Sequence, residues 1–174
     1  MPVLDKITGA SVTRRRRLAW AETDAAGHNH FSQAVRWLEE TEHELWRTLG
    51  LGELLWKIPR VHLEIDYHER IWPNEEVEVT VGVIAVGRTS CTFGYSACLA
   101  ESGSLLQEGQ WTVVHTPDPQ GRAQPWPKEV RERLVTQGAR DPHRQRAPRR
   151  RSGRPRLTPG RNAIPEKPSG EPYR

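Results

Sequence analysis

The stretch from Asp24 to Phe31 combines residue types that can attack a carbonyl carbon. It reads Asp-Ala-Ala-Gly-His-Asn-His-Phe and runs directly into a predicted helix. A carboxylate can act as a nucleophile or as a general base. The first turn of a helix carries backbone N–H groups without intrahelical acceptors, at the positive end of the helix dipole, where developing negative charge is stabilised. An Asp-x-x-Gly sequence before a helix is also an ordinary turn, so both interpretations stay open at this point.

The helix that follows is predicted over residues 32–49. Its core-facing residues recur every three or four positions. Ser32 suits its N-cap, and Gly50 suits the position just after its end. The predicted core-facing stripe consists of Ala34, Leu38, Thr41, Leu45 and Leu49, flanked by Trp37 and Trp46. So wide a stripe must be covered by other elements of the chain.

The alternation of apolar and polar residues predicts strands over residues 13–21, 61–68, 77–83, 91–99 and 105–115. The last four are consecutive in the chain with short turns between them, which predicts an antiparallel sheet with one buried face. The first strand begins with four consecutive arginines, residues 14–17. We interpret them as a charge-protected strand end, with phosphate or nucleic-acid binding as the alternative. A loose lead-in over residues 1–12 and a short closing helix over residues 127–137 complete the prediction.

The charge of the chain is unevenly distributed. The net charge is +4, but residues 138–174 hold 11 basic and 3 acidic side chains, a net of +8, together with seven of the fourteen prolines. The other 137 residues hold 15 basic and 19 acidic side chains, a net of −4. We predict one folded domain over residues 1–137 and a disordered basic tail over residues 138–174. The tail is interpreted as a solvated extension, with contact to RNA or a membrane as the alternative.

The two cysteines, Cys91 and Cys98, lie seven residues apart in one predicted strand. They point to opposite faces of that strand, too far apart for a disulfide bond. Their spacing is not that of a metal site, so we interpret them as reduced, packed thiols of a cytosolic protein. No apolar run reaches the length of a membrane span.

The order of strand, Asp-x-x-Gly loop, helix and four strands resembles the hotdog fold of acyl-CoA thioesterases, specifically the 4-hydroxybenzoyl-CoA thioesterase family. The similarity extends over roughly residues 13–135 and implies an α+β fold, in which a five-stranded antiparallel sheet wraps around a long central helix. The residues that carry it are Glu22-Thr23-Asp24-Ala25-Ala26-Gly27, Arg36-Trp37-Leu38-Glu39-Glu40, Leu63-Glu64-Ile65-Asp66-Tyr67 and Val86-Gly87-Arg88-Thr89-Ser90.

By this resemblance, Asp24 corresponds to the family's catalytic carboxylate, acting as the nucleophile or as the base for water. The backbone N–H of Phe31 would polarise the thioester carbonyl. Gly27 would let the loop approach the substrate closely. His30 is expected to orient water or to bond the substrate, with a structural pocket histidine as the equal alternative.

Three further residues are expected at the substrate. Arg88 would meet the phosphates of coenzyme A, with an ordinary turn arginine as the alternative. His28 is expected to contact the substrate, and Glu39, beside Glu40, to lie near the site unless it belongs to the solvated helix face. His28 and His30 with Asp24 do not form a well-placed set of metal ligands, so we predict no metal and no cofactor.

The resemblance thus implies hydrolysis of an acyl-CoA thioester in the cytoplasm. Family members form dimers whose sheets join edge to edge with the sites at the interface, so we expect a homodimer or homotetramer. We expect neither a membrane nor a nucleic-acid partner. Two other classes of function remain open: an acyl-CoA or acyl-carrier-protein binding module without hydrolysis, and a hotdog domain with a structural role in a larger assembly.

Overall fold

The computed structural model describes residues 1–136, so the predicted basic tail lies outside the described residues. Five strands form a single antiparallel sheet in the order β1-β3-β4-β5-β2, which places β1 and β2 at its two edges. The five-stranded α+β prediction is confirmed. The elements are α1 (Val3–Lys6), β1 (Ser11–Arg17), α2 (Gln33–Thr48), β2 (Arg60–Tyr67), β3 (Glu76–Val86), β4 (Ser90–Leu99), β5 (Leu105–Val114) and α3 (Lys128–Val135), with 3₁₀ turns at Trp20–Glu22 and Gly52–Lys57.

The core lies between α2 and the sheet, where α2 contacts β3 and β1. Trp37 and Trp46 of α2 are fully buried. The rings of Phe93 and Trp111 stack at 5.1 Å between neighbouring strands. Each such aromatic side chain contributes roughly 2–3 kcal/mol through the area that it buries. The four valines at alternating positions of β3 are also buried: Val77, Val79, Val81 and Val83.

The beginning of the chain differs from the prediction of a loose lead-in. It forms the short helix α1, whose Val3 is buried. A Cβ atom at Gly94 would lie 2.5 Å from Val3 Cγ1, and one at Gly82 would lie 2.5 Å from Ile7 Cγ2. These glycines therefore make room for the N-terminal segment. They are about 80 to 90 residues away in the sequence, so no local pattern indicates this packing.

The first strand is shorter than predicted. β1 ends at Arg17 instead of continuing to residue 21. Leu18 is fully buried, and a 3₁₀ turn over Trp20–Glu22 comes next. Leu18 still bonds the segment before β3, through its N–H to the Glu75 carbonyl and through its carbonyl to the Asn74 N–H, and the Asp24 loop follows the 3₁₀ turn.

The edge strand β2 also differs from the prediction of a buried apolar face. The exposed fractions are 60% for Val61, 37% for Leu63 and 46% for Tyr67. The alternation of apolar and polar residues in β2 is as predicted. However, α2 packs on β3 and β1, toward the opposite edge of the sheet, and leaves the β2 edge uncovered. Cys91 is a buried thiol, as predicted, and Cys98 is partly buried.

Candidate active site

The Asp24 loop is a tight turn closed by its own backbone. The N–H of Asp24 donates to the carbonyl of His28 at 2.9 Å, and the N–H of Gly27 donates to the carbonyl of Asp24 at 3.0 Å. Gly27 has a φ of 79°, in the left-handed region that favours glycine. The carboxylate belongs to the same turn, because Asp24 Oδ1 accepts the N–H of Ala26 at 2.8 Å.

The second carboxylate oxygen faces a histidine. His28 Nδ1 lies 3.6 Å from Asp24 Oδ2, and both side chains are partly exposed. The same nitrogen lies 3.3 Å from the carbonyl oxygen of Asn29. The imidazole rests edge-on against Trp72, with ring centroids 6.0 Å apart. One oxygen of Asp24 is therefore held by the turn, while the other has a titratable neighbour.

Two residues that sequence reasoning did not assign to the site fasten the loop to the body. Asn29 is buried and bonds Ile71 twice: its N–H donates to the Ile71 carbonyl at 2.9 Å, and its Oδ1 accepts the Ile71 N–H at 3.2 Å. The carbonyl of Glu22 accepts the N–H of His30 at 2.9 Å, while Glu22 Oε1 accepts the indole N–H of Trp37 at 3.2 Å. The only sequence signals were a lone Asn and a Glu in a motif, and neither predicts burial.

Arg16 supports the same anchor from β1. Its guanidinium forms ion pairs with Glu22, at 3.5 Å, and with Glu40. It also lies over the ring of Trp37, 5.2 Å from the ring centroid. Glu40 was expected near the substrate. Its ion pair with Arg16 instead joins α2 to β1.

The start of α2 is organised by His30. Ser32 was predicted as the N-cap, but its side chain makes no capping hydrogen bond. Instead, its Oγ lies 2.8 Å from His30 Nδ1, and its N–H donates to the same nitrogen at 3.3 Å. Accepting this N–H requires His30 Nδ1 to be unprotonated. The His30 ring also lies against Phe31, with centroids 4.6 Å apart.

The N–H of Phe31 is available for a ligand. Within residues 1–136 it donates to no acceptor, whereas the carbonyl of Phe31 accepts the hydroxyl of Tyr67 at 2.7 Å. Burial raises the pKa of Tyr67, which keeps this phenol protonated as a donor at neutral pH. The Phe31 side chain itself is exposed. The backbone just before α2 therefore holds one N–H without an acceptor among residues 1–136.

An open groove of about 280 Å³ lies between the start of α2 and the end of β2. Asp24 does not line this groove, but its neighbour His28 does. The exposed surface of its wall is mainly apolar. Its lining residues are His28, Asn29, Phe31, Tyr67, His68, Glu69 and Arg70.

The structure does not bring every predicted site residue together. Asp24, Gly27, His28, His30 and Phe31 share one loop and the helix start that it leads into. Glu39 is exposed on α2. Arg88 is exposed in the turn between β3 and β4, where its carbonyl accepts the N–H of Trp126 at 3.0 Å. That turn comes after the last residue of β3, whereas the Asp24 loop is attached near the first residue, through the bond from Leu18 to Glu75 at 3.1 Å. At 3.3 Å per residue, the two ends are roughly 30 Å apart.

Comparison with known families connects this arrangement to a group of enzymes. The profile described as the thioesterase-like superfamily matches residues 18–134, which span the Asp24 loop, α2 and the whole sheet except β1. The chain belongs to the thioesterase-like superfamily. The narrower assignment to the 4-hydroxybenzoyl-CoA thioesterase family stays a prediction. No protein of curated function matches the sequence.

Solved structures of thioesterases share the fold of this superfamily member. A predicted thioesterase from Bacillus stearothermophilus is 25% identical, with a TM-score of 0.65, over 74% of this chain and 99% of that one. A 1,4-dihydroxy-2-naphthoyl-CoA thioesterase from Synechocystis is 22% identical, with a TM-score of 0.65, over 71% and 95%. A thioesterase from Thermus thermophilus, complexed with coenzyme A and Zn, is 22% identical, with a TM-score of 0.63, over 71% and 96%.

The described part of this thioesterase-like chain contains no helix that is both long and apolar enough to cross a membrane.

Proposed function

We propose that this protein hydrolyses acyl-CoA thioesters through the carboxylate of Asp24. One observation carries the proposal: a carboxylate with one oxygen bonded within its own turn lies in the same short loop as a helix-start N–H that is free to bind an oxyanion. Hydrolysis of a thioester requires few further groups, because its carbonyl is electrophilic and its thiolate leaves readily. Membership of the thioesterase-like superfamily supports this chemistry.

Two routes are compatible with the position of Asp24. As a nucleophile, Asp24 Oδ2 adds to the thioester carbon, the thiolate of coenzyme A leaves, and water hydrolyses the mixed anhydride. As a general base, Asp24 takes a proton from water, the resulting hydroxide adds to the carbon, and the proton passes to the leaving thiolate. In both routes the N–H of Phe31 binds the carbonyl oxygen as it gains negative charge.

The other loop residues have positioning roles in this proposal. His28, 3.6 Å from Asp24 Oδ2, stands between the carboxylate and the groove and would contact the thioester. His30 holds the helix start through Ser32, which leaves the N–H of Phe31 free. Gly27 lets the turn close. Glu39, exposed on α2 and absent from the groove lining, stays a prediction for substrate contact.

Arg88 enters the proposal only through a second copy of the chain. When two sheets join by antiparallel edge strands, the Arg88 end of one sheet lies beside the Asp24 end of the other. Arg88 of the partner subunit would then face the phosphates of coenzyme A. We therefore propose a dimer, or a tetramer built from it, acting in the cytoplasm.

The second candidate function is binding of acyl-CoA, or of an acyl-carrier protein, without hydrolysis. It is favoured by one observation: Asp24 does not line the groove, and one of its oxygens serves the turn. In that case Asp24 would be a structural residue.

The substitution Asp24→Asn separates the two candidates, because it keeps the size and most hydrogen bonds of the side chain but removes its nucleophilicity and basicity. We expect turnover of acyl-CoA substrates to fall by roughly 10²–10⁴. Binding of a non-hydrolysable acyl-CoA analogue and the melting temperature should stay near wild type. Turnover within tenfold of wild type in the folded variant would eliminate the hydrolytic role of Asp24.

The chain contains a matched control for this experiment. Asp118 begins a second Asp-x-x-Gly turn, in which Asp118 Oδ1 accepts the N–H of Gln120 at 3.0 Å. The N–H of Gly121 donates to the carbonyl of Asp118 at 2.9 Å. Asp118→Asn makes the same chemical change in a turn that shares these two hydrogen bonds, so its turnover should remain that of wild type. An equal loss in both variants would indicate an effect of stability and not of chemistry.

A further inference from the structure

Arg70 is a cation in the lining of the groove, and its side chain is exposed. Within the described part of the chain its guanidinium makes no hydrogen bond and no ion pair. Arg16 and Arg60, by contrast, pair with carboxylates of α2. A guanidinium is charged at every pH at which the protein is folded and carries five N–H donors. The groove therefore presents a charged donor that is available to a ligand.

The backbone on both sides of Arg70 is fixed by hydrogen bonds. The N–H groups of residues 68–69 donate to the carbonyl of Leu106, at 2.9 and 3.2 Å. On the other side, the N–H of Ile71 donates to Asn29 Oδ1 at 3.2 Å, and Ile71 is fully buried. The side chain of Arg70 thus starts from a fixed position, as a residue that selects a ligand requires.

The segment 67–71 is also joined at both of its ends to the loop that leads into α2. The hydroxyl of Tyr67 donates to the Phe31 carbonyl at 2.7 Å. The carbonyl of Ile71 accepts the N–H of Asn29 at 2.9 Å. These two bonds hold the two walls of the groove together. The guanidinium belongs to one wall, and the N–H that is free to bind an oxyanion belongs to the other.

The groove is too small for the whole of coenzyme A. Its volume is about 280 Å³, whereas pockets that enclose a drug-sized ligand occupy about 300–1,000 Å³. The pantetheine arm separates the sulfur from the nearest phosphorus by about 13 bonds, roughly 14 Å when extended. A thioester whose carbonyl oxygen binds at Phe31 therefore keeps its phosphates outside the groove. An anion that reaches Arg70 inside the groove must belong to the acyl group.

We propose that Arg70 binds a second carboxylate on the acyl group, so that the preferred substrates are CoA half-thioesters of dicarboxylic acids. The inference rests on the proposed function for the placement of the thioester carbonyl at Phe31. An arginine and a carboxylate form two parallel charge-assisted hydrogen bonds, which fix orientation as well as affinity. A small acyl group held in this way keeps its carbonyl carbon at the Asp24 loop.

The other groups around the groove are compatible with an anion at Arg70. Asp24 does not line the groove, and Glu69, the acidic residue of the lining, has an interaction of its own. The two histidines of the lining each face a carboxylate: His28 faces Asp24 at 3.6 Å, and His68 faces Glu108 at 3.5 Å. The exposed surface of the wall is mainly apolar, which suits the methylene groups between the two carboxyl groups of the acid.

Calorimetry with matched ligands tests the inference. The probes are non-hydrolysable analogues of succinyl-, glutaryl- and adipyl-CoA, each paired with an isostere in which a methyl group replaces one carboxylate oxygen. We expect wild type to bind the carboxylate member of the best pair roughly 5–20-fold more tightly. Arg70→Gln should reduce that ratio to about one, whereas Arg70→Lys should retain part of it, because lysine keeps the charge but not the planar fork.

Arg122→Gln is the matched control. Arg122 is likewise exposed and without a partner among residues 1–136, but it lies in the loop after β5 and does not line the groove. This variant should keep the wild-type ratio. A ratio near one in wild type, or an unchanged ratio in Arg70→Gln, would overturn the inference. Equal weakening of both members of each pair and of free coenzyme A in Arg70→Gln would assign Arg70 to a phosphate instead.

The same measurement separates this inference from the proposed function, because binding requires no turnover. The preference for the carboxylate should be retained in Asp24→Asn. A preference that depends on Arg70 in a protein that hydrolyses none of the corresponding thioesters would support the inference and reject hydrolysis. Hydrolysis of the thioesters without such a preference would reject the inference alone. Failure to bind any of the probes would overturn both.

Discussion

The chain forms two Asp-x-x-Gly turns that share two hydrogen bonds, one at Asp24 and one at Asp118. In both turns the carboxylate accepts the N–H two residues on, at 2.8 and 3.0 Å, and the glycine N–H donates to the aspartate carbonyl, at 3.0 and 2.9 Å. The carboxylates differ in their surroundings. Asp24 is partly buried and faces His28, whereas Asp118 is exposed.

The two turns also lead into different structures. After the Asp24 turn the chain enters α2 with the N–H of Phe31 unengaged among residues 1–136. After the Asp118 turn the chain returns to the body, where the N–H of Gln124 donates to the carbonyl of His115 at 2.8 Å. The turn alone is therefore a structural device. A carboxylate becomes a candidate for catalysis where a free donor and a groove lie next to it.

The largest effect expected outside Asp24 itself concerns that free donor. Phe31→Pro removes the backbone N–H, and proline is tolerated near a helix start. Phe31→Ala removes the same side chain but keeps the N–H. We expect turnover of Phe31→Pro to fall roughly 10²–10³-fold below that of Phe31→Ala, as for loss of an oxyanion donor. Steady-state kinetics on one acyl-CoA substrate measures this ratio, and a ratio below about threefold would remove Phe31 from the mechanism.

An intermediate effect is expected at the two turn glycines. Gly27 has a φ of 79° and no atom near the position of a Cβ, so Gly27→Ala adds backbone strain alone. We expect a loss of about 1–2 kcal/mol in the free energy of unfolding. The φ of Gly121 lies outside the left-handed region, so Gly121→Ala adds no such strain; its Cβ would lie 3.0 Å from Asp118 Cβ and 3.2 Å from the Asp118 carbonyl oxygen, contacts that a small shift of this exposed turn relieves. Gly121→Ala should therefore cost less in chemical denaturation. Equal losses in the free energy of unfolding for Gly27→Ala and Gly121→Ala would show that both turns restrict their glycine to the same degree.

The smallest effect concerns the hydroxyl that holds the helix start. Tyr67→Phe removes the bond to the Phe31 carbonyl and should cost about 1 kcal/mol of stability near neutral pH. Burial raises the pKa of Tyr67 above 10 in the folded state, so its contribution is present below pH 10 and is lost as the pH rises beyond it. Wild type should therefore lose more stability than Tyr67→Phe between pH 10 and 11. Parallel loss in both proteins would contradict this role of the phenol.

The local elements could be predicted because their signals lie within a few residues of one another. Periodicity predicted a helix over residues 32–49, and the structure forms it over Gln33–Thr48. Alternation likewise predicted all five strands of the sheet, with β1 too long at its end. Neither pattern showed whether an apolar face is covered. The apolar face of β2 is therefore exposed because α2 packs on other strands of the sheet.

The candidate site divides in the same way. The sequence by itself determined the Asp24 turn, the glycine that closes it and the helix start behind it, because hydrogen bonds between near neighbours create all three. Only the tertiary structure decided that Asn29 and Glu22 anchor the loop and that the loop lies at the opposite end of β3 from Arg88. Those arrangements depend on contacts between residues that are far apart in the chain. Such contacts produce no periodic pattern in the sequence from which they could be predicted.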